Sequence, residues 1–527
     1  MTMTIRHEVF HPELQFVAVD GKGAPLSRLG RKRVRVFVMH QYLQQKKNPR
    51  SKIVPADVAP APPNFRPQFR ARGRQTRDKR RVAGSRGLSY IGSRSTTQIS
   101  SDIPPGNHLP PLVGQVSDLP SEFRDSDTIA LLQYYHNAFW VNSYACNPAG
   151  SFISTARQAP ATFHALLTLV AIHRRDCFAW DATEPYFRHR GLALRKIALS
   201  LHTRQQDDIV QTIAAVAVLS TSDIEFEWPN DTSNSHARAL EGLVSVLGGM
   251  ESLNQHGDIQ RVAAWADIFH AASTGRPPSL PLPSAVAVAD WKDLAAHMDV
   301  SEQDRLYVED DMLGRLPVAL GQMILQLRVL VKAKRNLAHR RETQLCQLFS
   351  TVLWKFEHSI LTSIAASTAD TTTQPQTRHD LPNSAFQLAA IMLTFSNLRN
   401  LASPIIFNVL ARRLKSILVD AVPTRLNKTR ASRRSPINAF SDFSLYHEPD
   451  TVVLIWILFQ GWRSTSRASR DRRWYVMHVA NVCRLRGHCS PELLFSNIEK
   501  IVPCRADIAA SIKELFEEVN LSWQTEV

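Results

Sequence analysis

Residues 342–366 read ETQLCQLFSTVLWKFEHSILTSIAA. Leu345, Phe349, Val352, Leu353, Phe356 and Ile360 recur there at intervals of three and four, so they form one apolar stripe of a helix that needs a partner to cover it. The same period runs outward through most of the chain. Towards the N-terminus it predicts helices over 184–202, 207–222, 235–248, 258–273 and 312–338. Towards the C-terminus it predicts them over 384–400, 404–420, 449–461, 470–485, 491–501 and 505–519. Asp125 or Ser126 stands where a cap would open a helix carrying Ile129, Leu132, Tyr135, Ala138 and Phe139. Pro160 opens another, with Phe163, Leu166, Leu167, Val170 and Ala171 on one side. No Val/Ile/Thr alternation bounded by turn pairs recurs at strand spacing. The predicted class is all-α, as a helical body preceded by a basic, mostly disordered arm.

Hydrophobic residues make up 44% of the 527 and charged residues 21%, which excludes collagen-like and wholly disordered chains. The net charge of +16 is unevenly placed: residues 1–100 hold 21 Lys and Arg against five acids, and the remainder holds 42 of each sign. Three zones result. Residues 1–50 form a basic segment with one amphipathic helix at 29–47. Its apolar side carries Val34, Phe37, Val38, Tyr42 and Leu43, and its other side Arg31, Lys32, Arg33, Arg35, Lys46 and Lys47. Residues 51–125 mix proline with Arg, Ser and Gly and offer few apolar side chains to offset chain entropy, so a disordered linker is expected. Residues 126–527 are the helical body, interrupted by polar loops at 368–377 and 423–450.

The six cysteines, Cys146, Cys177, Cys346, Cys483, Cys489 and Cys504, are too few and too scattered for a disulfide scaffold. The first 14 residues contain no apolar run, and the longest strongly apolar stretch, 452–459, is far short of the roughly 20 residues that cross a bilayer. A soluble intracellular protein with no membrane partner is expected.

No catalytic residue is assigned. The chain has no Gly-x-Ser-x-Gly elbow, phosphate-binding loop, dinucleotide fingerprint or His-Glu-x-x-His. Gly248-Gly249 follows a helix and suits its C-terminus, where glycine takes positive φ at little cost. Cys483, His488 and Cys489 lie together, but a closed zinc site needs four ligands, so no metal and no cofactor are expected. The basic arm carries the candidate functional residues. Lys46, Lys47, Arg50 and Lys52 form one cluster and Arg77, Lys79, Arg80 and Arg81 another. Such clusters enter acidic grooves of import receptors or contact phosphates through counterion release. Arg72-Gly73-Arg74 is similar to the core of an AT-hook, which enters a narrow A·T minor groove, although Gln75 stands where that motif has proline.

One block carries a family resemblance. A predicted helix from His236 ends in Gly248-Gly249, a second contains Trp265-Ala266-Asp267, and Pro277-Pro278 close the block. This resembles the centre of the fungal-specific transcription factor domain, a helical regulatory region that usually accompanies a zinc binuclear cluster. Residues 454–461 followed by Arg473-Trp474-Tyr475-Val476 resemble its C-terminal part, and Phe16-Val17 with residues 31–42 resemble the start of a subgroup. The resemblance implies a structural role for Trp265 and Asp267. The cluster itself needs six cysteines within about thirty residues, whereas the first cysteine here is Cys146, expected inside a helical segment. The expected protein is a nuclear, non-enzymatic transcriptional regulator without a zinc cluster, whose partners are an import receptor, other regulatory proteins and DNA contacted mainly non-specifically. Two alternatives stay open: a nuclear interaction protein that does not bind DNA, and a helical enzyme of secondary metabolism.

Overall fold

A computed structural model describes residues 123–139, 145–178, 183–203, 206–226, 230–297, 313–314, 316–340, 342–369, 380–401, 403–420, 448–467, 469–486, 490–502 and 506–525. The described residues contain seventeen α-helices and no strand. No helix among them is long and apolar enough to cross a membrane. The helix at 29–47, the two basic clusters and the Arg-Gly-Arg core lie outside the described residues, as do the linker up to residue 122 and the loops at 370–379 and 421–447.

The first half stacks seven helices. Helix α1 (Ser126–Tyr134) opens where the Asp125 carboxylate accepts from the Thr128 amide at 3.0 Å, as the sequence predicts. A π-helical turn, Tyr135–Phe139, follows it. Helix α2 (Phe152–Gln158) leads into α3 (Pro160–Phe178), which packs against α4 (Thr183–Thr203) and α5 (Gln206–Glu225). Helix α5 is covered in turn by α6 (Asn230–Leu247) and α7 (Gly257–Thr274). A buried knot ties this layer together. Asp223 on α5 accepts from Arg190 at 2.8 and 3.0 Å and from Tyr186 at 3.2 Å, and the His236 ring lies 2.8 Å away.

The central block closes on itself. Helix α6 ends with Gly248 and Gly249 at φ 103° and 93°, and the Gly249 amide reaches back five residues to the Val244 carbonyl at 2.8 Å. Helix α7 is buried from Ile259 to Ala272 apart from Arg261, so it is a central helix rather than an amphipathic surface one. It stops at Gly275, φ 80°, and the two amides beyond its Pro-Pro exit return to it: Ser279 and Leu280 donate to the Asp267 carboxylate at 3.0 and 2.9 Å. Burial pushes Asp267 up to about 6, against the pull of those two amides.

Short helices α8 (Ser284–Ala287) and α9 (Trp291–Ala296) lead to α10 (Val318–Arg340) and α11 (Thr343–Ala369). Helix α11 carries the stripe quoted at the outset and touches α7, α8, α9, α10 and α12 (Asp380–Leu393). The chain continues through a π-helical turn, Thr394–Leu398, into α13 (Pro404–Asp420). The C-terminal helices are α14 (Glu448–Arg463), α15 (Arg470–Arg486), α16 (Pro491–Ile501) and α17 (Ala506–Thr525). Helix α14 is buried from Val452 to Trp462 and is central like α7. Helix α17 is fastened by Arg472, which donates to Glu514 at 2.8 Å and to Glu518 at 2.7 Å while its guanidinium lies 4.3 Å over the Trp462 ring.

Several boundaries differ from expectation. Helix α10 starts at Val318 rather than 312, because Pro317 has no N–H and stands just before its first turn. Helix α12 starts at Asp380, and its predicted last turn is a π-helical turn that ends at Leu398, two residues before Asn400, a non-glycine residue at φ 49°. Asp258, the first residue of the helix predicted over 258–273, lies inside the first turn of α7 rather than at its start: His256 is the cap, and Asp258 accepts from the Thr155 hydroxyl of α2 at 2.6 Å. Cys146 lies in a turn, not a helix, because the helical pattern around it breaks at Asn147-Pro148-Ala149-Gly150.

Candidate functional site

Three helices present the same spacing to one place. Leu166, Leu169 and His173 on α3, and Val218, Thr221 and Glu225 on α5, each step by three and four residues along one face. Val262 and Trp265 on α7 do the same over one turn. Together with Tyr135 and Phe139 of the first π-turn and Phe152 of α2, they wall a largely apolar cavity of about 100 Å³. Its remaining border is the turn holding Ala145, Cys146 and Asn147 and the segment Arg399–Leu401.

A buried ion pair stands at that border. Arg399 donates from Nε to both Glu357 oxygens at 3.0 and 3.1 Å, and from Nη2 to one of them at 2.5 Å. Glu357, on α11, is 0% exposed and Arg399 only 8%. Arg399 Nη1 also donates to Cys146 Sγ at 3.0 Å, and its guanidinium carbon lies 4.2 Å from the centre of the Trp265 ring. Burial alone would lower the Arg399 pKa, but the charge of Glu357 outweighs it and holds the group above its usual value. Burial pushes the Cys146 thiol up, and Arg399 only partly offsets that. Trp265 therefore has the structural role that the resemblance implies: one face carries a cation, and its ring meets Phe269 and Phe395.

The opposing titratable groups are neutral near pH 7. His173 is brought down to about 4 by burial. Its Nδ1 lies 2.8 Å from the Tyr134 hydroxyl, and the ring donates to the Asn400 carbonyl. Asn400 is held in turn by Lys334, whose ammonium donates to its side-chain oxygen at 2.6 Å and also to the Asn397 carbonyl. Glu225, only 3% exposed, is pushed up to about 8, first by burial and then by the charge of Asp176, against Arg175. The Arg175 guanidinium is spent on the Asp176 carboxylate at 2.8 Å and on the Glu225 main-chain carbonyl at 3.3 Å.

None of the residues singled out in the basic arm can be placed here: Arg31, Lys32, Arg33, Arg35, Lys46, Lys47, Arg50, Lys52, Arg72, Arg74, Arg77, Lys79, Arg80 and Arg81 all precede residue 123. Of the three neighbouring metal-type residues, Cys483 is fully buried in α15, while His488 and Cys489 lie outside the described residues. Among the described residues no three His, Cys, Asp or Glu side chains are grouped to hold a metal ion. Sequence reasoning missed Glu225, Glu357, Arg399 and Cys146. One signal was there: Glu357 is four residues from both Leu353 and Leu361 and three from Ile360, a charge set within an apolar stripe.

The geometry defines an all-α body organised around a buried charge pair and a closed central block. The chain belongs to the family of the fungal specific transcription factor domain, whose sequence profile matches residues 130–489. No curated protein and no solved structure matches it.

Proposed function

We propose that this protein is a nuclear transcriptional regulator without a zinc cluster, whose helical body receives regulatory partners and performs no catalysis. The observation that carries this reading is the family match over residues 130–489, which spans the central block and most of the helices around it. The arm supplies the rest. Its 21 basic residues against five acids suit an import receptor and DNA phosphates. The Lys46, Lys47, Arg50 and Lys52 cluster, with Arg77, Lys79, Arg80 and Arg81, is the import signal in this reading. The lack of any cysteine before Cys146 favours a second reading, in which the chain acts at chromatin only through other proteins.

The test is chromatin occupancy of the full chain against a chain lacking residues 1–120, with microscopy of a variant in which both clusters are changed to Ala. The expected result is cytoplasmic retention of the cluster variant and loss of occupancy by the shortened chain. A cluster variant that stays fully nuclear rejects the import assignment. Gel shift of the arm alone on random and A·T-rich duplexes separates direct DNA contact from recruitment.

A further inference from the structure

We propose that the cavity among α3, α5 and α7 is a binding site for a small uncharged molecule, one ring in size, whose hydroxyl or carbonyl group is held by Glu225. This goes beyond the regulatory reading and depends on neither import nor DNA contact.

Size sets the first limit. Apolar cavities of about 150 Å³ take up benzene, so for one of about 100 Å³ a single six-membered ring is the upper limit. The wall sets the second. Phe139, Phe152, Leu166, Leu169, Val218 and Val262 offer only apolar surface. The polar groups around them are nearly all committed. Arg399 is spent on Glu357 and Cys146, Thr221 donates to the Ala217 carbonyl at 3.2 Å, and the His173 ring is held by Tyr134 and Asn400.

Two groups are uncommitted: the Asn147 side-chain nitrogen, buried with no hydrogen-bond partner, and Glu225. Glu225 lines the cavity, is buried, and among the described residues no group makes a hydrogen bond to its carboxyl. A buried polar side chain without a partner is costly, and in native structures such a group calls for an explanation. The charged groups acting on it are Asp176 and Arg175, both from α3. Since Glu225 keeps its proton up to about pH 8, it presents one O–H donor and a carbonyl acceptor, which match a ligand hydroxyl or ketone. A cation would meet Arg399, and an anion would find no free countercharge, because the Arg399 guanidinium on the wall is already paired with Glu357 behind it.

The test is titration calorimetry of the full chain at pH 7 with phenol, cyclohexanone, benzene and benzoate. Phenol and cyclohexanone should bind one per chain, about tenfold tighter than benzene, the ratio expected for one added hydrogen bond. Benzoate should give no saturable heat. Glu225→Gln should keep the preference for phenol over benzene, and Glu225→Leu should erase it. Val218→Phe should abolish binding of all of them; if its helical circular dichroism shows misfolding, Leu169→Phe serves in its place. The proposal is overturned by absence of saturable phenol binding, by benzoate binding as tightly as phenol, or by a phenol preference that survives Glu225→Leu. Phenol binding unchanged in a folded cavity-filling variant also overturns it, by placing the ligand elsewhere. Each of these failures leaves the import and occupancy results untouched.

Discussion

Replacing Arg399 with Met keeps the aliphatic bulk and removes the charge. Three N–H···O contacts to Glu357, the contact to Cys146 Sγ and the cation over Trp265 are lost together. The dominant effect is what stays behind: a carboxylate with 0% exposure and no cation. Breaking a buried pair from one side costs about 3–5 kcal/mol, a large share of the roughly 5–15 kcal/mol that holds a domain folded. A stranded carboxylate escapes by taking up a proton, and each unit of pH below neutrality eases that escape by about 1.4 kcal/mol. The Arg399→Met penalty should therefore shrink steadily between pH 7 and pH 5. A guanidinium has no such escape, so Glu357→Gln should cost a similar amount at every pH in that range. Joining Arg399→Met to Glu357→Leu should recover most of the loss, because both charges leave the interior together. Urea unfolding followed by circular dichroism at several pH values measures all three variants. A double variant no more stable than Arg399→Met, or an Arg399→Met penalty that is flat with pH, would refute this account of the pair.

Glu225→Gln should stabilise the protein by about 3 kcal/mol at pH 7, because the native state holds a proton up to about 8 that the unfolded chain releases near the ordinary 4.5. The sign follows from that order of release: the wild type loses stability as pH rises from 4.5 through 8, and the variant should lack that slope in denaturant titrations. Gly461→Ala should cost about 1–3 kcal/mol, since its Cβ would lie 2.2 Å from the buried Tyr475 ring; an unchanged melting temperature would show that the ring can yield. The proposed phosphate contacts of the arm, at roughly six per chain, give a log–log salt slope of about −5 and an affinity drop on the order of a thousandfold between 50 and 200 mM salt. A footprint on one defined sequence, lost when Arg31, Arg33 and Arg35 become Ala, would contradict that non-specific mode.

The helices were legible wherever a stripe ran for three turns or more. The stripe quoted from 342–366 became α11, and Gly248-Gly249 and Gly275 stopped their helices with the positive φ that glycine allows. Helices α2, α8 and α9, of seven, four and six residues, are too short to show a period and were not anticipated. The cavity was hidden for a different reason. Cys146 and Arg399 are 253 positions apart and Glu357 and Arg399 are 42 apart, so no local spacing joins them. Trp265 and Asp267 were visible as part of a block, but the cation over the one and the two amides bound by the other come from segments the helical period does not connect.

The contact between Cys146 and Arg399 also bears on the order in which the molecule is made. Ser350, which donates to the Ala145 carbonyl at 2.6 Å, lies 205 residues downstream of it, and Arg399 is later still. At synthesis rates of about 5–20 residues per second, roughly 13–50 s separate the appearance of Cys146 from that of Arg399. Once α7 is complete at Thr274, α3, α5 and α7 have each other but not the segment that shuts their shared face for about 6–25 s, until Arg399 is made. Over that time the nascent chain carries the apolar mouth of the cavity open.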